Sequence, residues 1–494
     1  MKAVLLRPPD PMGMVDVLAH VLPTNIGYIA AYIRQHGFEV DIWDYEQEPF
    51  DARQFLRRVK QAAPEVIGIS CMTPTITNGH AIATLVKRHF PHIITVVGGA
   101  HSSAMPQETL QEFENFDVVV NQEGELTFLE LCQRIEEKET LAGVQGITWR
   151  DGDRIVSEQK REFHDNLDDF PFPARELYHR PKLAHGHSTR GFSNALNTTE
   201  IFTSRGCPYK CTFCAIVATF GRSVRWRSPE NVFEEIADVQ KRYNVEHVII
   251  ADDTFGLYPG RIEALSEGFT RLGLKSWSCD TRVDCVNPDK LKRMKASGCT
   301  KVAFGVETGS ERIVRLNQKK IKFADVRNAI RWSREAGIRQ VEANFIVGSH
   351  PEETLEDLEL TAKLIKELPL TFVSISVLVP YPGTPNYDYM DQRGLIFSKD
   401  WSKYVMFGQT PCWRTVHFTS EELVQYQRRL NRIFYLDPGF LFRTLSGIRS
   451  LRDLLYYMKA GKAFMRWVLG GSVVPNPQVV DVSEAKTLTP APVA

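Results

Sequence analysis

Residues 204–216 read SRGCPYKCTFCAI and gather Cys207, Cys211 and Cys214, three of the nine cysteines of the chain, into one C-x3-C-x2-C turn. Soft, ionisable thiols at that spacing can hold a metal. A structural zinc site closes its tetrahedron with four protein ligands, as two cysteine pairs or with nearby histidines, and no second pair follows the triplet. The remaining cysteines, Cys71, Cys132, Cys279, Cys285, Cys299 and Cys412, are scattered, mostly in apolar or strand-like stretches, and read as core thiols. An odd count in a long chain whose opening, MKAVLLRPPD, has no secretory apolar region argues against a disulfide framework and for the reducing cytoplasm. Three thiolates in one loop suit an iron–sulfur cube, in which the protein holds three irons and the fourth keeps an open coordination position.

The triplet, with the aromatic Phe213 just before its last cysteine, resembles the signature of the radical S-adenosylmethionine (radical SAM) superfamily. The resemblance implies a 4Fe-4S cluster on Cys207, Cys211 and Cys214. It also implies that the amino and carboxylate groups of S-adenosylmethionine chelate the open iron, and that one electron splits the sulfonium to a 5′-deoxyadenosyl radical. Further polar groups follow in the order the superfamily uses them. ADDTF brings Asp252 and Asp253 toward the methionyl amine, Arg282 in CDTRVD toward its carboxylate, and Glu307 with Ser310 in FGVETGS toward the ribose or methionyl part. FIVGSHPEET offers Ile346 and Gly348 as backbone contacts for adenine. Each alone could be a helix cap or a surface ion-pair partner. In sequence, and at strand ends, they outline one nucleotide site.

These residues need two sets of elements to position them. Over residues 1–137 short β-branched runs alternate with helical patterns, which predicts βαβ crossovers and a Rossmann-like parallel sheet with its ligand loops at the carboxyl ends of the strands. No G-x-G-x-x-G stands there, so a nicotinamide site is not indicated. RPP near the start, GGAHSS with Pro106, and EGE at 123–125 resemble the cobalamin-binding domain that precedes the radical module in cobalamin-dependent radical SAM enzymes. That resemblance brings Gly98, Gly99, His101 and Ser102 to the corrin. The D-x-H-x-x-G element that supplies a cobalt-ligating histidine is absent, so His101 is not assigned as a metal ligand. A methylthiotransferase would need three N-terminal cysteines for a second cluster, and only Cys71 and Cys132 are present.

Residues 138–198 read as a connector, with a hairpin at GITWRDGDRIVSE, a proline-rich DDFPFPARE drape, and His185 and His187 as surface or substrate-facing side chains. From TTEIFTSRG to about residue 395, strands and helices alternate six times, as in the partial (β/α)6 barrel of the radical SAM core. Residues 396–470 contain basic, aromatic, amphipathic helical stretches expected to cross the barrel mouth, or to serve as a lid or a peripheral membrane contact. Residues 471–494 read as a disordered tail. The expected architecture is thus α/β: a Rossmann-like cobalamin-type sheet, a partial barrel and a helical C-terminal region.

Composition agrees with such an enzyme. The chain has 494 residues, is 43% hydrophobic and 24% charged, and balances 60 basic against 60 acidic side chains. Zero formal charge argues against a general affinity for nucleic acid, and no apolar run is long enough to span a membrane. The expectation is a cytoplasmic enzyme that uses a 4Fe-4S cluster, S-adenosylmethionine and cobalamin, fed by an electron donor such as flavodoxin or ferredoxin. It would C-methylate an unactivated carbon of a small-molecule, lipid or tetrapyrrole substrate. The alternatives are an oxidative cyclase resembling the anaerobic magnesium-protoporphyrin monomethyl ester cyclase, and a non-catalytic corrinoid sensor or carrier.

Overall fold

The computed structural model describes residues 1–11, 22–178, 197–407 and 410–446, together with Met458, Gly461, Lys462 and Val480. His185, His187, nearly all of the second C-terminal amphipathic stretch and all of residues 471–494 except Val480 lie outside the described residues.

The first half alternates as its pattern predicts: β1 (Lys2–Arg7), α1 (Thr24–Gln35), β2 (Glu39–Asp44), α2 (Ala52–Ala62), β3 (Val66–Ser70), α3 (Ile76–His89), β4 (Ile94–Gly98), α4 (Ala100–Ala104), α5 (Pro106–Glu112), β5 (Val118–Val120) and α6 (Glu125–Glu136). The strands are apolar runs buried on both faces, which is what parallel strands between helix layers require. The expected hairpin forms as β6 (Ile147–Asp151) and β7 (Arg154–Ser157), and it does not stand apart as a connector. It adds to β5 antiparallel, giving one seven-stranded sheet in the order β2-β1-β3-β4-β5-β6-β7.

The second half opens with β8 (Thr198–Ile201) and β9 (Ser204–Arg205), then α7 (Ile216–Phe220) and β10 (Arg225–Trp226), which pairs back on β9 so that a small antiparallel ribbon brackets the cysteine loop. There follow α8 (Pro229–Tyr243), β11 (His247–Phe255), α9 (Arg261–Arg271), β12 (Ser276–Thr281), α10 (Pro288–Ala296), β13 (Cys299–Glu307), α11 (Glu311–Leu316), α12 (Phe323–Glu335), β14 (Gln340–Val347), α13 (Leu355–Glu367), β15 (Phe372–Val377) and α14 (Pro385–Gln392). Six parallel strands lie in the order β15-β14-β13-β12-β11-β8, an open barrel wall. Helix α15 (Ser420–Tyr435), followed by α16 (Pro438–Ser446), does not cross the barrel mouth. It lies along β14, β15 and α13, and Gln427 Nε2 donates to the Ile375 carbonyl at 2.9 Å. An amphipathic helix covers whichever apolar flank is open, and here the flank is the last strand.

The carboxyl ends of both sheets border one cavity of about 600 Å³. Ser70, Gly98 and Val120 come to it from the first sheet, and Phe202, Ile346 and Val377 from the second. Among the described residues no helix is long and apolar enough to cross a membrane.

Candidate functional site

The cysteine loop is held from both ends. After β8, the carboxylate of Asp252 accepts from the backbone N–H and hydroxyl of Thr203, both at 2.6 Å, and from those of Ser204 at 2.9 and 2.7 Å. The chain then turns at Gly206, whose φ of +93° and whose approach to the Ser223 carbonyl leave no room for a Cβ. Its N–H donates to Asp253 at 3.0 Å. Downstream, Thr212 N–H donates to the Asn317 carbonyl at 3.2 Å and Thr212 Oγ1 to Asn317 Oδ1 at 2.9 Å.

Cys207, Cys211 and Cys214 are free and partly exposed, whereas the other six cysteines are free and buried. Burial pushes the Cys214 thiol up to about 11 and raises Cys211, against which the nearby Lys319 pulls both down. Among the described residues no three His, Cys, Asp or Glu side chains crowd closely enough to hold a single metal ion. A cube asks for something else, because each thiolate binds a different iron. Three soft thiols on one loop, with the cations Lys319 and Arg282 beside them, fit a cluster of net negative charge.

The sequence-selected polar residues divide into two groups. Asp252 is fully engaged with Thr203 and Ser204. Asp253, raised to about 6 by burial, accepts one bond from the Gly206 N–H and keeps acceptor capacity beside the loop. Arg282 is also committed: Nε and Nη2 donate to Asp284 at 3.0 and 2.9 Å, two more bonds reach the Lys319 and Lys320 carbonyls at 3.1 Å, and the guanidinium lies 3.5 Å over the Tyr209 ring. Lys319, which no motif singles out, is the less committed cation. Its buried ammonium donates to Glu307 at 2.6 Å and lies 5.7 Å from the Phe213 ring. Glu307 sits at φ +70°, beyond a register shift in β13, a left-handed conformation that costs a side-chain-bearing residue about 1 kcal/mol. Ser310 caps α11 and donates to Asp357 at 2.5 Å. Gly348 N–H donates to the buried Glu353 at 2.5 Å, and Ile346 lines the cavity.

On the other wall Gly98 and Gly99 reach the cavity, and Gly99, at φ +105°, passes so close to the Cys71 backbone that a Cβ would collide with it. Beside them Asn25 donates to Ser70 Oγ at 2.8 Å. The cavity also reaches Gly68, where an added Cβ would press on Leu5 and Phe128, so only glycine fits between them. Ser102 is buried and donates to the Gly99 carbonyl at 3.4 Å. His101 is not on the cavity wall. It is buried 4.8 Å from the Trp401 ring, its Nδ1 has no partner among the described residues, and burial lowers it to about 4.

The two walls are joined by charge. Arg205, in β9, donates to Glu125 at 2.7 Å and lies 3.5 Å from Glu123, while Arg225, in β10, makes a bidentate pair with Glu123 at 2.8 and 2.6 Å. All four are nearly buried. The sequence marked the EGE stretch only as part of a resemblance. Its partners lie 80 to 102 residues away and carry no local pattern.

Residues 201–365 match the Radical SAM superfamily and residues 14–132 the B12 binding domain. The chain is 30% identical over 447 residues, 90% of its length and 95% of the other, to an uncharacterized methyltransferase of Pyrococcus horikoshii. It is 26% identical to the anaerobic magnesium-protoporphyrin IX monomethyl ester cyclase of Cereibacter sphaeroides, over 97% of this chain and 79% of that one. The radical S-adenosylmethionine methyltransferase TsrM from Kitasatospora setae has the same fold, with a TM-score of 0.69 over 89% of each chain at 17% identity.

Proposed function

Because the chain belongs to the cobalamin-dependent radical SAM methyltransferase family, we propose that it transfers a methyl group to an unactivated carbon of a small-molecule, lipid or tetrapyrrole substrate. Its cofactors are a 4Fe-4S cluster, S-adenosylmethionine and cobalamin. Together they supply hydrogen abstraction from unreactive carbon and a transferable methyl group. In this reading Cys207, Cys211 and Cys214 hold the cluster, with Phe213 shielding it. Asp253 accepts from the methionyl amine, Lys319 pairs with the methionyl carboxylate, Glu307 and the backbone of Ile346 and Gly348 meet the nucleoside, and Asp252, Arg282 and Ser310 keep those groups in place. Gly98 and Gly99, backed by Ser102, cradle the corrin, and His101 stays neutral behind them without binding cobalt.

The observation that carries the reading is the single cavity with Cys214 on one wall and Gly98 and Gly99 on the other, so that both cofactors open onto one substrate. A flavodoxin or ferredoxin would deliver electrons one at a time. The test uses anaerobic holoenzyme, a reductant, methyl-deuterated S-adenosylmethionine, and extract from a strain lacking the protein as the substrate source. A deuterated product should form, with equal amounts of S-adenosylhomocysteine and 5′-deoxyadenosine. An unlabelled product without S-adenosylhomocysteine would establish oxidative cyclisation instead, the chemistry named for the Cereibacter relative.

A further inference from the structure

The charged side chains on the cavity wall are Glu123, Glu125 and Arg205, and they are paired with one another and with Arg225. Among the described residues no unpaired charge faces the space. The barrel side is apolar almost throughout: Phe202, Ile216, Ile346, Val377, Leu378 and Val379. Its hydroxyls are mostly spent internally, since Thr219 donates to the Ile216 carbonyl at 3.1 Å and Ser376 to the Phe345 carbonyl at 3.4 Å. Tyr381 is the exception. Its hydroxyl has no hydrogen-bond partner among the described residues, and burial pushes its pKa up to about 12, so it is a neutral phenol at any working pH. At the rim stand Met72 and Met406, 59% and 47% exposed.

We propose that the barrel side of this cavity receives a neutral, hydrocarbon-rich substrate held by one polar anchor, the Tyr381 hydroxyl, an assignment that rests on the methyltransferase reading above. A phosphate or carboxylate entering here would shed its water and meet no free cation, which counts against its binding. A hydrocarbon surface sheds no polar hydration on entering and gains contact with Val377, Leu378 and Val379. A single hydroxyl or carbonyl on it would pair with the Tyr381 hydroxyl in place of water. Substrates of nucleotide or phosphonate character are thereby disfavoured, and terpenoid-like or other neutral lipids favoured.

The test compares farnesol with farnesyl phosphate, two probes with one hydrocarbon chain and different heads. Equilibrium dialysis is run against anaerobic holoenzyme saturated with S-adenosylhomocysteine. Farnesol should bind about ten-fold tighter or better. Tyr381→Phe should weaken it about three- to ten-fold with cobalamin content unchanged, and Met406→Glu, at the exposed rim where folding is spared, should abolish binding. No farnesol binding, or farnesyl phosphate binding as tight or tighter, would overturn the proposal. So would farnesol binding that ignores both substitutions. The same holoenzyme given methyl-labelled S-adenosylmethionine separates the two levels: selective farnesol binding without any cleavage of S-adenosylmethionine would count against methyl transfer while supporting the assignment of the cavity.

Discussion

In the proposed site Lys319, and not the fully engaged Arg282, is the cation left for the methionyl carboxylate. Arg282 spends its donors on Asp284 and on the Lys319 and Lys320 carbonyls, so it fixes the turn that presents Lys319. Lys319→Met should therefore weaken S-adenosylmethionine binding by about ten-fold, measured by equilibrium dialysis, while the iron content stays at the wild-type value. Cys207→Ser, Cys211→Ser or Cys214→Ser should each remove the iron, and Cys279→Ser and Cys299→Ser should not. Glu353 behaves differently. It is buried, accepts from the Gly348 N–H, and is raised by burial to about 8 from 4.5. A carboxyl that holds its proton more tightly when folded makes stability fall as pH rises between those two values. Glu353→Gln keeps a carbonyl for Gly348 and removes the ionisation, so its melting temperature at pH 8 should exceed that of the wild type by about 2 °C or more, with the gap closing toward pH 5. At this scale the cysteine triplet was fully legible, because three identical soft ligands are close in sequence. Lys319 was not, because its meaning comes from Glu307 and Phe213, which meet it only after β13 and the cysteine loop are in place.

At the scale of elements, alternation of apolar runs and helical stripes was enough to place most of the strands and, with them, the strand-end residues. It could not reveal where the ladders break. The pairing of β11 with β12 shifts register between Ile250 and Phe255, and in that gap Asp252 turns toward Thr203 and Ser204 while Asp253 turns toward Gly206. Two adjacent acids read from sequence as equivalent, and the bulge gives them different tasks. Asp252→Asn keeps the shape but presents a donor where four donors converge, so unfolding should cost about 2 kcal/mol less, and cobalamin binding by the first sheet should survive although cluster content falls. A denaturant titration monitored by far-ultraviolet circular dichroism, paired with iron and cobalt analysis, measures both. The hairpin β6–β7 was recognisable from its turn residues, but its joining of the first sheet depends on the free edge of β5, which lies outside its own sequence.

For the whole molecule, the relation between the two sheets depends on buried ion pairs from distant parts of the chain. Glu123 and Glu125 bind Arg225 and Arg205 on either side of the cysteine loop, and the linker contributes a second joint in which Arg175 and Arg227 close on the fully buried Glu235. Burial alone would raise Glu235, yet the two guanidinium groups hold it below its ordinary value. Breaking one such pair strands a charge at a cost of about 3–5 kcal/mol. Glu123→Gln should therefore leave the iron content intact and broaden the cluster-to-cobalt distance distribution in pulsed electron paramagnetic resonance, a change that simple loss of stability would not produce. The pairs of Glu123, Glu125 and Arg175 were not legible in advance, since ionic partners far apart in sequence leave no periodic trace. The linker also passes over α1, where Tyr178 donates to the Pro23 carbonyl at 2.7 Å and the Ala174 N–H to that of Gly27 at 3.0 Å. A book-like opening of the two halves would tear several of these joints at once. Met72 and Met406, exposed where the cavity meets solvent, mark a way in and out that needs no such opening. Turnover should respond to the bulk of those two side chains: Met72→Ala and Met406→Ala should change kcat while iron and cobalt content stay at the wild-type value.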